Sequence, residues 1–123
     1  MQKIIVVGVF IDKINTLLGT NIKNKTIYQS KGLRAHMMKS RHYVAVKYID
    51  RIPEILTHPD YIGLSGSEDA PSIEYIKCFD HNIQLVIKTD SNRGSLYVAT
   101  MFDIPKKKID RMLHSGRIIK YVD

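Results

Sequence analysis

Three alternating apolar runs follow one another through the second half of this chain, with only a few polar residues between them. Residues 72–79 read as a strand, Asp80-His-Asn as a turn and residues 83–89 as the next strand. Asp90-Ser-Asn-Arg-Gly94 then reads as a five-residue hairpin loop and residues 95–102 as a third strand. Connections this short return the chain antiparallel, because a parallel return needs a crossover of a dozen or more residues. A basic helix over 105–113 follows, with Pro105 near its first turn and Gly116 ending it, and residues 117–122 form a last strand.

The first half is more helical. Residues 3–9 are apolar and rich in β-branched side chains, which suits a buried strand. Ile11, Ile14, Leu17 and Leu18 share one stripe of a helix over 12–18 that stops at Gly19. A polar connector leads to a short strand at 26–29. Ser30 is placed to cap a helix from Lys31 to about Arg41. Residues 44–49 fit either strand or helix. A short helix over 50–57 has Asp50 as its cap and Pro53 in its first turn. Residues 64–71, LSGSEDAP, read as an exposed loop. The expected architecture is α+β: one domain over 1–123, with N-terminal helices packed on a four-stranded, mainly antiparallel sheet. Within it, 1–25 form a strand and a helix, 26–62 a basic helical region, and 72–123 the meander with its helix and last strand.

Charge is distributed very unevenly. Between Asp12 and Asp50 there is no acidic residue, but there are eight Lys or Arg and two histidines, His36 and His42. Residues 50–123 hold eleven acids and ten Lys or Arg, so the formal charge of +7 comes from the first half. A localised positive field attracts polyanions. The single cysteine, Cys78, excludes an internal disulfide, a Cys-rich zinc site and a CxxC redox motif. The apolar run at 3–9 is too short for a membrane span and lacks a small-residue cleavage site, so neither a signal peptide nor a membrane partner is expected. A Walker-type phosphate loop and a carboxylate pair with metal-nuclease spacing are both absent.

Histidine moves protons near neutral pH. His42 closes the basic helix, where the helix dipole favours a protonated ring. His36 lies six residues earlier, about 120° away on an ideal helix, so both can face one site only if the helix ends between them. Lys39 shares the face of His36, Arg41 borders His42, and Arg34 belongs to the same basic segment; these are candidate phosphate ligands, although a solvated helix face is the ordinary fate of such residues. On the strand 83–89, Ile83, Leu85 and Ile87 point to the core, while Gln84, Val86 and Lys88 point to an open face. Lys88 is therefore a candidate transition-state ligand. On 95–102, strict alternation groups Thr100 with Leu96, Val98 and Phe102 on a core-like face, and groups Tyr97 with Ser95, Ala99 and Met101. Tyr97 is placed to stack on a base. Lys77 is either a snorkelling lysine or a site residue. His58, His81 and His114 read as turn or surface residues. Lys106-Lys-Lys108 opposes the dipole of its own helix, which suggests an anionic partner, either RNA or an acidic inhibitor protein. Harmless expression of the domain on its own would count against an inhibitor.

Several words resemble the Barnase–EndoU–colicin–RelE superfamily of ribonucleases, and its phage and mobile-element branch in particular. They are Ile27-Tyr-Gln-Ser30, Lys39-Ser-Arg-His42, Ile52-Pro-Glu-Ile-Leu-Thr-His-Pro-Asp-Tyr-Ile62 and Leu96-Tyr-Val-Ala-Thr-Met-Phe102. Together they span about 26–102; the apolar strand at 3–9 is not part of the pattern. The resemblance aligns His42 with a family histidine and favours a Ser or Thr at Thr100. It implies cleavage of RNA without a metal or other cofactor, by attack of a 2′-hydroxyl on the adjacent phosphorus to leave a 2′,3′-cyclic phosphate. It also implies a toxin or phage-type effector that acts on tRNA or other RNA in the bacterial cytoplasm, delivered alone or within a larger protein, with an acidic immunity or antitoxin protein as partner. The alternatives are a non-catalytic RNA- or DNA-binding module and an interaction protein that binds an acidic partner.

Overall fold

In the computed structural model, which describes residues 4–67, 69–90 and 95–122, seven strands form one sheet. The elements run β1 (Ile4–Val9), α1 (Asp12–Leu18), β2 (Thr26–Ser30), α2 (Leu33–Lys39), α3 (Tyr43–Val46), a 3₁₀ turn (Ile49–Arg51) and α4 (Ile52–Thr57). Then come β3 (Tyr61–Gly66), β4 (Pro71–Cys78), β5 (Asn82–Asp90), β6 (Ser95–Asp103), α5 (Lys106–Ser115) and β7 (Ile118–Lys120). The spatial order is β1-β2-β6-β5-β4-β3-β7. All neighbours are antiparallel except β2 and β6, which pair in parallel through Ile27↔Leu96 and Tyr28↔Tyr97. Among the described residues no helix is long and apolar enough to cross a membrane.

The meander β4–β5–β6 forms where its alternation predicts. The four-stranded sheet does not hold: β1, β2 and β3 join it, and the helices are interleaved with strands rather than gathered at the N-terminus. Residues 64–66, expected in a loop, belong to β3. Gly63, Ser65 and Gly66 dilute its apolar pattern to Ile62 and Leu64. The glycine at 63 has a packing reason. A Cβ there would lie 2.7 Å from both the Arg117 carbonyl oxygen and Ile118 Cγ2, so only glycine lets β7 pair this closely. The expected hairpin loop at 90–94 lies, apart from Asp90, outside the described residues.

The two faces of the sheet are covered differently. Ile73, Tyr75, Ile83, Leu85 and Ile87 meet Ile14, Leu33, Met37, Ile52 and Ile55 from α1, α2 and α4 in the main core. On the opposite face, α5 sets Ile109 and Met112 against Ile76 and Ile118, with Phe102 at the margin, and covers only one end. Each fully buried Ile or Leu contributes roughly 1.5–3 kcal/mol of transfer free energy, so the helices are anchored chiefly by the first of these layers.

Tyr75 lies in the main core, and its hydroxyl has no hydrogen-bond partner among the described residues. Burial pushes its pKa up, with a smaller push from Tyr121. A group whose folded pKa is raised contributes stability that is present below its unfolded pKa, near 10 for Tyr, and lost as pH rises through the folded value. Tyr75→Phe removes an unpaired buried hydroxyl. Urea unfolding at pH 7 is expected to give unchanged stability or a gain of up to about 1–2 kcal/mol. Above pH ~10 the wild type loses stability more steeply than the variant; equal slopes would contradict this account.

Candidate active site

His42 is delivered by a turn rather than by the end of a helix. α2 stops at Lys39, and the N–H of Arg41 donates to Met38 O at 3.1 Å while that of His42 donates to Met37 O at 2.8 Å. That double bond pattern closes a Schellman motif. Arg41 has φ of 62°, the left-handed position that glycine usually fills. Two expectations change. The helix ends between His36 and His42, so the 120° argument no longer separates them. His42 sits at the N-cap of α3, not at the C-terminus of the basic helix, so the dipole argument does not apply to it.

The turn brings His42, half-buried, to β6. Its ring is 5.5 Å from the Phe102 ring at a 41° tilt, and Lys108 Nζ lies 5.5 Å from the centroid of the same ring. Phe102 reaches this surface because β6 carries a bulge. Val86 opposes Thr100 but Ile87 opposes Val98, which leaves Ala99 as the extra residue. The bulge resets the alternation. Leu96, Val98 and Met101 all enter the main core, while Tyr97, Thr100 and Phe102 share the other face with Gln84, Val86 and Lys88. The expected grouping of Thr100 with Leu96 and Val98, and of Tyr97 with Met101, is therefore corrected: Thr100 belongs to the face of Gln84, Val86 and Lys88, which is open at Lys88 and Tyr97 but closed at Gln84 and Val86, both buried.

On that same face, beside Thr100, Glu74, Gln84 and Arg117 form a polar group that the candidates read from sequence did not include. Glu74 is buried, 3% exposed, and Arg117 holds it bidentately, Nε to Oε1 at 3.1 Å and Nη2 to Oε2 at 2.9 Å. Gln84 Nε2 also donates to Glu74. The Gln84 Oε1 and Thr100 Oγ1 atoms are buried without a partner among the described residues. Gln84 directly opposes Phe102 and Val86 opposes Thr100, so Gln84 and Thr100 are diagonal neighbours about 7–8 Å apart. A buried polar atom without a partner is uncommon in a folded protein. A charged residue amid Ile73, Tyr75 and Ile76 was the sequence signal for Glu74; Arg117 gave none, since its partner is 43 residues away.

The remaining candidates separate. Lys88 is exposed on the same face and opposes Tyr97, but stands four residues from Gln84 on β5, about 13 Å along the strand. Tyr97 is 37% exposed. Arg34, His36 and Lys39 are exposed on α2. Lys77 opposes Ile83 and shares the helix-covered side with Tyr75. There it helps to hold the Glu54 carboxyl below the usual range, an effect due first to the Arg51 hydrogen bond, and it is not brought to His42. His81, expected to be idle, has its Nδ1 3.3 Å from the Tyr48 hydroxyl. A cavity of about 660 Å³ lies elsewhere, lined by Asn21, Lys23, Ser65, Asp69 and Thr89 among others. Among the described residues no group of three or more His, Cys, Asp or Glu is arranged to hold a metal ion.

Residues 5–111 match the sequence model of a family described as phage-Barnase-EndoU-ColicinE5/D-RelE like nuclease. The chain belongs to this nuclease family. No significant match was found among curated proteins or among solved structures. The span of this phage-nuclease family begins at residue 5, so most of β1, which the sequence words left outside the pattern, lies within it. It ends inside α5, so the nuclease match includes His42, Glu74, Gln84, Thr100 and Lys108 but not Arg117.

The left-handed Arg41 yields a direct test of how His42 is held. Arg41→Gly relieves a conformation costing about 1 kcal/mol in a non-glycine residue, so the melting temperature is expected to rise or hold while the His42–Phe102 contact persists. A loss of stability would show that the Arg41 side chain, not the turn, maintains this geometry.

Proposed function

We propose that this nuclease is a metal-independent endoribonuclease that uses His42 as its proton-transfer group. The observation that carries the reading is the contact of His42 with Phe102, on the sheet face that bears Thr100, with Lys108 over the same ring and Arg117 and Lys88 further along that face. The chemistry follows from those groups. The RNA 2′-oxygen bonds to the adjacent phosphorus, the bond from phosphorus to the 5′ oxygen breaks, and the 2′,3′-cyclic phosphate remains. One group takes the 2′ proton and another protonates the leaving oxygen. His42 serves one of these transfers; His36, on the preceding helix, is the candidate for the other. Fixed cations stabilise the doubly charged phosphorane. Thr100 keeps a hydrogen bond for a phosphoryl oxygen, which requires the side chains above it to part on binding. Lys88, about 13 Å along β5 from Gln84, holds a neighbouring part of the strand rather than the reacting phosphorus.

The basic segment 13–49 fits a structured polyanion such as tRNA, and supports a toxin or phage-type effector acting in a bacterial cytoplasm. An acidic immunity or antitoxin protein would compete for the same positive surface. The test is total tRNA incubated with the chain in EDTA. Wild type is expected to yield fragments with cyclic-phosphate ends, and His42→Ala to cut about 10²–10⁴-fold more slowly. Intact tRNA that is nevertheless retained, with loss of retention in high salt, would leave only a binding module.

A further inference from the structure

One cross-strand row on the open face is not accounted for by the proton chemistry. Val6 pairs with Tyr28, Tyr28 with Tyr97, Tyr97 with Lys88, and Lys88 with Ser72. Directly paired residues point to the same side of a sheet, so these side chains line one face across five strands. The neighbouring pair in the parallel register, Ile27 and Leu96, points the other way and is fully buried. Tyr28 and Tyr97 are different: Tyr28 is half-buried and Tyr97 is 37% exposed. Tyr28 and Tyr97 are therefore cross-strand neighbours on one face, on strands about 4.8 Å apart, with the exposed Lys88 on the next strand.

The row stands two steps from His42. Lys88, Val86 and Gln84 mark successive rows on β5, each about 7 Å from the last, and Phe102, which His42 touches, opposes Gln84. A strand crossing His42 and Thr100 thus continues over the tyrosines. Buried apolar packing would explain two tyrosines on a covered face; it does not explain them beside an exposed lysine on a face whose other end alone is roofed by α5.

We propose that Tyr28 and Tyr97 form a stacking platform for one or two unpaired bases of an RNA strand, with Lys88 on its phosphate. The inference rests on the reading of this face as the RNA face, and it makes the substrate class single-stranded or looped RNA rather than duplex. Stacking uses the π-face that every base has, so the platform selects for unpaired bases and not for sequence.

The probe is a 2′-O-methyl RNA hexamer, which lacks the attacking hydroxyl and so reports binding without cleavage. It is compared by fluorescence anisotropy with an abasic hexamer of the same backbone and with a duplex. Wild type is expected to prefer the base-bearing single strand. Tyr28→Leu and Tyr97→Leu should each weaken it about 5- to 100-fold, whereas Tyr28→Phe and Tyr97→Phe stay within about threefold, because Phe retains the stacking face. Thermal unfolding checks that the Leu variants are folded. Equal affinity for the abasic hexamer, or folded Leu variants that bind like wild type, would overturn the platform even if the protein cleaves tRNA. Tyrosine-dependent binding by a chain that cleaves nothing would support the platform and remove the nuclease reading instead.

Discussion

A single extra residue in β6 determines what the open face carries. Strict alternation from Leu96 would send Thr100 and Phe102 into the core with Val98. The bulge at Ala99 instead puts Met101 there and turns Thr100 and Phe102 outward beside Gln84 and Val86. The core loses nothing, since Met101 fills the place in register with Leu85. His42 gains an aromatic ring to rest against, and the Thr100 hydroxyl is buried below that face without a hydrogen-bond partner among the described residues. Bulges re-aim side chains in this way next to functional sites.

A second constraint works on the same face, where Glu74 pairs with Val86 and Val86 with Thr100. A carboxyl group as buried as Glu74 is costly unless a cation and hydrogen bonds satisfy its oxygens. Arg117 and Gln84 provide them, and Arg117 reaches Glu74 because Gly63 lets β7 lie close to β3. The pair anchors a guanidinium group at the border of the open face while leaving it partly exposed, 46% for the side chain. That holds the guanidinium in one orientation beside the Glu74 carboxylate, with less entropy left to lose than a free lysine has. It also joins the short edge strand β7 to the middle of the sheet.

Where period-two alternation runs unbroken, the sequence was a sound guide. The strands β4 and β5, the core-facing trio Ile83, Leu85 and Ile87, and the placing of Gln84, Val86 and Lys88 on the other face were legible, although only Lys88 of those three is exposed. The failures have local causes. Ala99 leaves no compositional mark, so the reversal after it was invisible. β3 carries Gly63 for a packing reason that only β7 supplies, and its diluted pattern read as a loop. The helix stop after Lys39 was hidden because Arg41, not glycine, takes the left-handed position. His42 was identified through family resemblance, while its approach to Phe102 depends on contacts far apart in sequence.

On this reading RNA lies along the bulged face of the sheet, with His42 at its margin. Backbone chemical shifts recorded during titration with an uncleavable 2′-O-methyl RNA hexamer test it most directly. The changes are expected to concentrate at His42, Gln84, Thr100, Tyr97 and Lys88. Changes concentrated instead at Arg51, Glu54 and Lys77, on the helix-covered side, would contradict it.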